Sequence, residues 1–418
     1  MMKTYTFNYR VLLLIALYVF NAVGVFAQKD DTTKLFHREP IDTSTRLLNM
    51  DYVYNRPFLT AGKLPIAIGG YLEANSQYVQ IDGVNEGLSF QARRLTIFLS
   101  STIAKRIKFL SEIEFEGGAN EINIEFAAVD IEFLPLLNLR GGIIMNPIGA
   151  FNQNHDGPRW DFIDRPISAT TIIPSTLSNV GFGLHGKHFT GNWVLGYEAY
   201  ITNGFNDKII SNDFNRTSLE SAKSSPERFE ENNSGLPTFT GKLAIRNRKC
   251  GEIGLSYLSG VYNKWQSDGI ILDEKRKVQI LAVDFNTSVF KKRINIVGEA
   301  AQVFVNIPET YLQQYGNKQF GAFVDIMGTV FQGRSFDWQN TKLNIGIRLE
   351  YADYNQGVFK ETKGNIFDDV WAIVPSVAFR PAGTTVLRFN YRYQQQRDIL
   401  GNPPSKTGAI QLGISTYF

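Results

Sequence analysis

The chain of 418 residues has a single cysteine, Cys250, so no disulfide can form within it. Cys250 falls in a turn expected at 247–251 and reads as a free thiol. Long apolar runs are missing as well. The run at 11–20 has roughly ten residues, about half of what a helical span needs, and no later stretch is long and apolar enough. Helical insertion is thereby excluded, leaving strands as the only route into a membrane. Histidines number only 4, and the one close pair, His185 and His188, points to opposite faces of a strand. No activated serine motif accompanies them. The chain is therefore expected to be no enzyme and to hold no metal or cofactor. The 43 basic residues fall to 41 on losing Lys3 and Arg10 with an export signal, against 40 acidic ones. Such a balance favours no nucleic-acid partner.

What is present begins with that signal. Lys3 and Arg10 precede and open the apolar run, and Val25-Phe26-Ala27 offers a cleavage site after Ala27. Residues 1–27 thus read as a signal peptide of a protein bound for a bacterial outer membrane. Residues 28–65, with KDDTTK, Pro40, Pro57 and Pro65, read as a periplasmic lead-in, partly ordered and too short for a large plug domain. Phe (31), Tyr (18) and Gly (36) are abundant, yet mean hydropathy is slightly negative at -0.16. Alternating lipid-facing and lumen-facing residues average to that character.

From 66 to 418 the sequence reads as an all-β transmembrane antiparallel barrel of about sixteen strands. Strands are expected at 66–78, 88–101, 107–116, 121–133, 137–146, 179–189, 193–203 and 238–246. The others fall at 252–262, 277–289, 294–306, 319–331, 341–353, 369–380, 384–395 and 408–418. Links alternate between short periplasmic turns and long outer loops, with RSFDWQN near 333–340 as the main exception. In the last strand, Ile410, Leu412, Ile414 and Phe418 face one way while Gln411, Gly413, Ser415 and Tyr417 face the other. Leu387, Phe389, Tyr391 and Tyr393 alternate likewise with Arg388, Asn390, Arg392 and Gln394. Apolar bands of this extent need lipid, so the charged faces are expected inside. The strand 277–289 alternates poorly, which predicts a bulge. Trp193, Tyr351, Trp371, Tyr393 and Tyr417 are expected in interface girdles.

FQARRLTIFLSS at 90–101, LNLRGGIIMNPIGAF at 137–151, WDFIDRP at 160–166 and the terminal STYF together resemble the phosphate-selective porin family (porins O and P). The resemblance covers the first half of the barrel best. It implies sixteen strands, a third loop folded into the pore, a homotrimer, and phosphate or other small anions as permeants. A terminal Phe418 also resembles the signal read by the barrel assembly machinery.

The residues themselves support a broader channel. Arg93 or Arg94, Arg140, Arg348, Arg388 and Arg392 are expected on inner faces, as are Glu112, Glu114, Glu116, Glu125, Glu132, Glu299 and Glu350. The acidic strands opposite basic ones would set a transverse field, and hydrated salt bridges explain the glutamates better than a metal site. The loop 147–178, about thirty residues, is the expected constriction. Its Asn154, His155, Asp156, Arg159, Asp161, Asp164 and Arg165 would set bore and charge. A general diffusion channel for small hydrophilic solutes is the expected function. The alternative is a structural or secretion-accessory barrel closed by its loops.

Overall fold

In the computed structural model, the described residues are 36–38, 46–61, 65–311 and 316–418. The expected signal peptide and much of the lead-in lie outside them. The first eight barrel strands are β1 (Ile66–Ile81), β2 (Val84–Ala104), β3 (Ile107–Glu116), β4 (Glu121–Leu134), β5 (Leu137–Met145), β6 (Ser178–Thr190), β7 (Trp193–Thr202) and β8 (Thr238–Asn247). Then come β9 (Gly251–Val261), β10 (Lys277–Val289), β11 (Ile294–Val305), β12 (Lys318–Ser335), β13 (Trp338–Asp353), β14 (Asp369–Ala382), β15 (Thr385–Gln396) and β16 (Ser405–Tyr417). Each pairs antiparallel with the next, and β16 returns to β1 with Tyr417 opposite Tyr71. Closure removes every free sheet edge. All sixteen expected strands are present.

Their ends differ in an informative way. β12 and β13 extend to Ser335 and Trp338, so RSFDWQN is a tight turn and the main exception to the alternation disappears. Every link at one end of the barrel is a tight turn, while the loops 146–177, 203–237, 262–276 and 354–368 crowd the other beside the short links 82–83 and 117–120.

The outer face is apolar as the alternation requires: Ile345, Leu349, Phe389, Ile410, Leu412 and Ile414 are exposed around the barrel. Lipid contact would cover them. Their neighbours Arg348, Arg388, Gln411 and Ser415 point inward and are buried. Tyr417 also points inward, donating to Asp156 Oδ2 at 2.7 Å, and so leaves the expected girdle. Parity alone dictates this, since Tyr417 shares a face with Ser415. The Phe418 ring lies over Gly70, where a Cβ would come within 2.5 Å of it.

β10 pairs without any register shift on either side, so the expected bulge is absent. Its alternation is weak because Val278, Ile280 and Ala282 are apolar on the inward face too. They join a lumenal hydrophobic cluster with Leu258, Val303 and Val374, covered by Ile148, Ile172 and Leu177 of one loop and Phe205 and Leu219 of another. One sector of the lumen is therefore dry.

Of the lead-in, residues 46–58 enter the lumen from the tight-turn end. Leu48 and Met50 pack on Val194 and Ala244, while Val53 and Phe58 join Tyr71, Phe98 and Phe126. Asn49 donates its backbone N–H to Glu252 at 3.1 Å and its amide to Asp284 at 3.1 Å. Leu59–Ala61 then pairs briefly with Phe36–Arg38 and with the start of β1.

Candidate functional site

The loop 146–177 leaves β5 and crosses the lumen. It enters beside Gly149, which has a φ of +68° and where a Cβ would sit 2.3 Å from the Glu299 carboxylate. Only glycine meets both demands. The N–H groups of Ala150 and Phe151 donate to Glu299 Oε2 at 2.7 and 3.0 Å, and Gln153 donates to Glu198 at 3.0 Å. A turn at Gly157–Arg159 and a short helix at Ser168–Thr171 are its local structure.

Two β-bulges prepare the wall that receives it. Glu73 pairs with Arg94 but Ala74 pairs with Ala92, leaving Arg93 as the extra residue. An extra residue resets the alternation, so both neighbouring arginines turn inward. Similarly, Glu112 pairs with Phe126 and Ile113 with Ile124, which leaves Glu125 unpaired and inward beside Phe126. Strict alternation would have put one residue of each pair in lipid.

The loop is complementary to the wall on both sides. Towards β13–β15 and β2 it presents acids. Asp161 meets Arg380 at 2.7 Å, and Asp164 meets Arg93 at 2.5 Å and Arg392 at 3.7 Å. Towards β3 and β4 it presents bases: His155 lies 3.0 Å from Glu125, and Arg165 lies 3.5 Å from Glu114. Carbonyls complete the contact, with Arg388 donating to Phe162 at 2.8 Å and Arg348 to Asp164 at 2.6 Å. Asn154 instead accepts from the Trp160 indole at 2.6 Å through its carbonyl.

The seven loop residues named from sequence thus all lie in the lumen but turn to different sides of it, and the wall charges divide as well. Arg94 lies among Glu73, Glu114 and Glu116, and Arg388 pairs with Glu73 at 2.8 Å. Arg348 is taken by Asp325 at 2.6 Å and Arg392 by Glu350 at 2.7 Å. Arg140 is apart from the loop, paired with Asp130 at 2.8 Å, and Glu132 meets Lys108 at 2.7 Å. The expected hydrated glutamate wall is dry, since Glu112, Glu114 and Glu125 are all buried. The covering loop excludes water from them.

Arg56, which the sequence reading overlooked, locks the centre. Its Nη2 reaches Asp156 at 2.7 Å and Glu112 at 2.9 Å, and its guanidinium lies 4.0 Å from the centre of the Phe98 ring. Arg159 returns the tie by donating to the carbonyls of Tyr52 and Asn55. Burial would lower the pKa of Arg56, but Asp156 and Glu112 outweigh it and raise it. Burial would also lower His155, yet Glu125 and Glu112 push it up to about 10. Asp164 would rise on burial, but Arg93 and Arg392 bring it down to about 2. A conspicuous Leu48, Met50, Val53 and Phe58 within the segment was the available signal for its burial.

Two cavities flank the stretch 161–165. One of about 740 Å³ reaches the Gly117–Gly118 turn at the loop end. Arg93, Arg94, Arg165 and Arg392 line it against only Glu116 and Asp164. Arg165 is 9% exposed there, and its Nε and Nη2 make no hydrogen bond. The other, about 470 Å³, lies towards the tight-turn end between Asn49, Arg159, Asp161, Arg246 and Arg380.

With this geometry in place, comparison with known proteins defines the class of fold. The barrel superposes on the outer-membrane channel DcaP of Acinetobacter baumannii with a TM-score of 0.53 and 14% identity, covering 84% of this chain and 97% of that one. It matches an anion-selective porin from Comamonas acidovorans at 0.52 and 12%, covering 84% and 99%. Salmonella typhi OmpF gives 0.51 and 11%, covering 85% and 98%. The fold is that of the sixteen-stranded porin barrels. No family model matches the chain. In sequence, an uncharacterized protein of Aquifex aeolicus (strain VF5) is 31% identical over 210 residues, 48% of this chain and 46% of that protein. The match thus spans about half the length of that relative.

Proposed function

We propose that the protein is a passive outer-membrane channel for small hydrophilic solutes, with a preference for anions. The observation that carries this reading is the cavity beside the loop 146–177 at the loop end, where four arginines face only Glu116 and Asp164. Arg93, Arg94, Arg165 and Arg392 would draw in the anion, and the stretch 161–165 would set the bore. Phosphate is one candidate among small anions. A solute's own gradient drives flux through such a site. The signal peptide 1–27, cleaved after Ala27, and recognition of Phe418 by the barrel assembly machinery complete the route to the membrane. Assembly as a homotrimer in outer-membrane lipid belongs to the same reading.

A second reading, a structural or secretion-accessory barrel without an open pore, draws support from the N-terminal segment, which occupies the lumen opposite the loop. Liposome swelling separates the two. Vesicles carrying folded protein should swell in small neutral solutes and resist large ones. Vesicles that never swell would favour the closed barrel.

A further inference from the structure

We propose that Glu112, Glu125 and His155 form a binding site for one divalent transition-metal ion, which pins the constriction loop to the barrel wall. One ligand atom from each residue lies within 4.8 Å of the others, and all three residues are buried. The two distances from the imidazole fit neighbouring donors of one ion. His155 Nε2 is 3.0 Å from Glu125 Oε2 and 3.5 Å from Glu112 Oε1. Metal–ligand bonds of about 2.0–2.2 Å hold neighbouring donors about 3 to 3.6 Å apart.

The surroundings are those that orient ligands. His155 Nδ1 donates to the Asn152 carbonyl at 2.8 Å, which aims Nε2 at the two carboxylates, where a bound ion would replace the Nε2 proton. Thr176 donates to the outer oxygen of Glu125 at 2.5 Å, leaving Oε2 inward. Independently, both oxygens of Glu112 are buried without a hydrogen bond. Arg56 Nη2 lies 2.9 Å from Oε2 as an ion pair, but its hydrogen bond goes to Asp156. Arg56 balances the Glu112 charge in part, but a buried carboxylate that accepts no hydrogen bond keeps its lone pairs open to a further cation. A divalent ion between the two glutamates would take them up. One imidazole and two carboxylates suit zinc, manganese, iron or cobalt better than magnesium or calcium, which take oxygen ligands. The site joins two strands to the loop, so the ion would act as a cross-link within the lumen.

The test uses full-length protein folded with Zn²⁺, dialysed against chelator, and assayed for metal by mass spectrometry. About one zinc per chain should remain. His155→Gln and Glu125→Gln should each lower retention at least about tenfold. Glu132→Gln, a carboxylate outside the cluster, should retain zinc fully. Heat-modifiable gel mobility identifies folded barrels in every sample. If the two variants fail to fold, zinc-edge X-ray absorption on the wild type decides, with one imidazole and two or more oxygens expected in the first shell. Zinc well below one per chain, equal retention in folded His155→Gln, or a shell without nitrogen would overturn the proposal. The three residues would then form a buried ion triad alone.

Discussion

The loop 146–177 and the segment 46–58 both lie inside this barrel, and they are held in different ways. The loop 146–177 is anchored at both ends by strands and bonded to walls on opposite sides, through Glu299, Arg348, Arg388 and Glu125. The segment 46–58 is anchored in the barrel wall at one end, through β1, and seated by fewer polar links at the tight-turn end. A doubly anchored loop loses less conformational entropy on ordering than a free segment would, because its ends are already fixed. The segment's two flanks, Phe36–Arg38 and Leu59–Ala61, pair with each other and the second also with β1, so it is tied to one side of the wall where the loop is tied to two. Arg56 is where they meet, touching Asp156 of the loop and Glu112 of the wall.

Removing that meeting point is the strongest way to break the contrast. Arg56→Ala leaves two buried carboxylates without their cation, which should cost about 3–5 kcal/mol. Denaturant unfolding in detergent would report it. A loss below about 1 kcal/mol would mean that solvent or another base replaces Arg56 there, and that the segment is not the keystone. Next in size, deleting residues 46–58 should roughly double single-channel conductance without altering ion preference, because the basic outer cavity is untouched. Unchanged conductance would mean that the segment does not lie on the conduction path. A change in preference would shift the selectivity site to the tight-turn end.

The smallest effect concerns acid. Asp164 has its folded pKa lowered to about 2 by Arg93 and Arg392. A lowered value stabilises the fold above the ordinary carboxylate range, and that share is lost as pH falls through about 2. It amounts to about 2 kcal/mol at most. Asp164→Asn should therefore lower stability at neutral pH and flatten its decline in acid, a difference that pH-dependent unfolding curves would expose. Parallel curves for the two proteins would remove Asp164 from the loop's anchorage.

The two segments also mark how far the sequence could be read. The barrel was legible because period-two alternation is local: Leu387, Phe389 and Tyr391 declare their face without knowledge of any partner. The loop was legible from its length and its crowd of charged groups. Which wall each charge meets was not, because that depends on two bulges at Arg93 and Glu125, each of which shifts parity by one residue. β10 misled for the opposite reason: Val278 and Ile280 face a dry sector, so contrast between its faces is lost. The segment 46–58 has no regular period, and Pro57 and its polar flanks masked Leu48, Met50, Val53 and Phe58. Its place inside the barrel is decided by tertiary contacts, above all the pairing of Arg56 with residues 56 and 100 positions away in sequence.

The central claim is a conducting lumen whose outer cavity favours anions. Reversal potential in planar bilayers under a potassium chloride gradient tests it most directly, with Arg165→Glu beside the wild type. The account predicts stepwise openings and a reversal potential on the chloride side for the wild type, moved towards the potassium side by the substitution. A folded wild-type barrel that gives no steps, or one that prefers potassium, would contradict it.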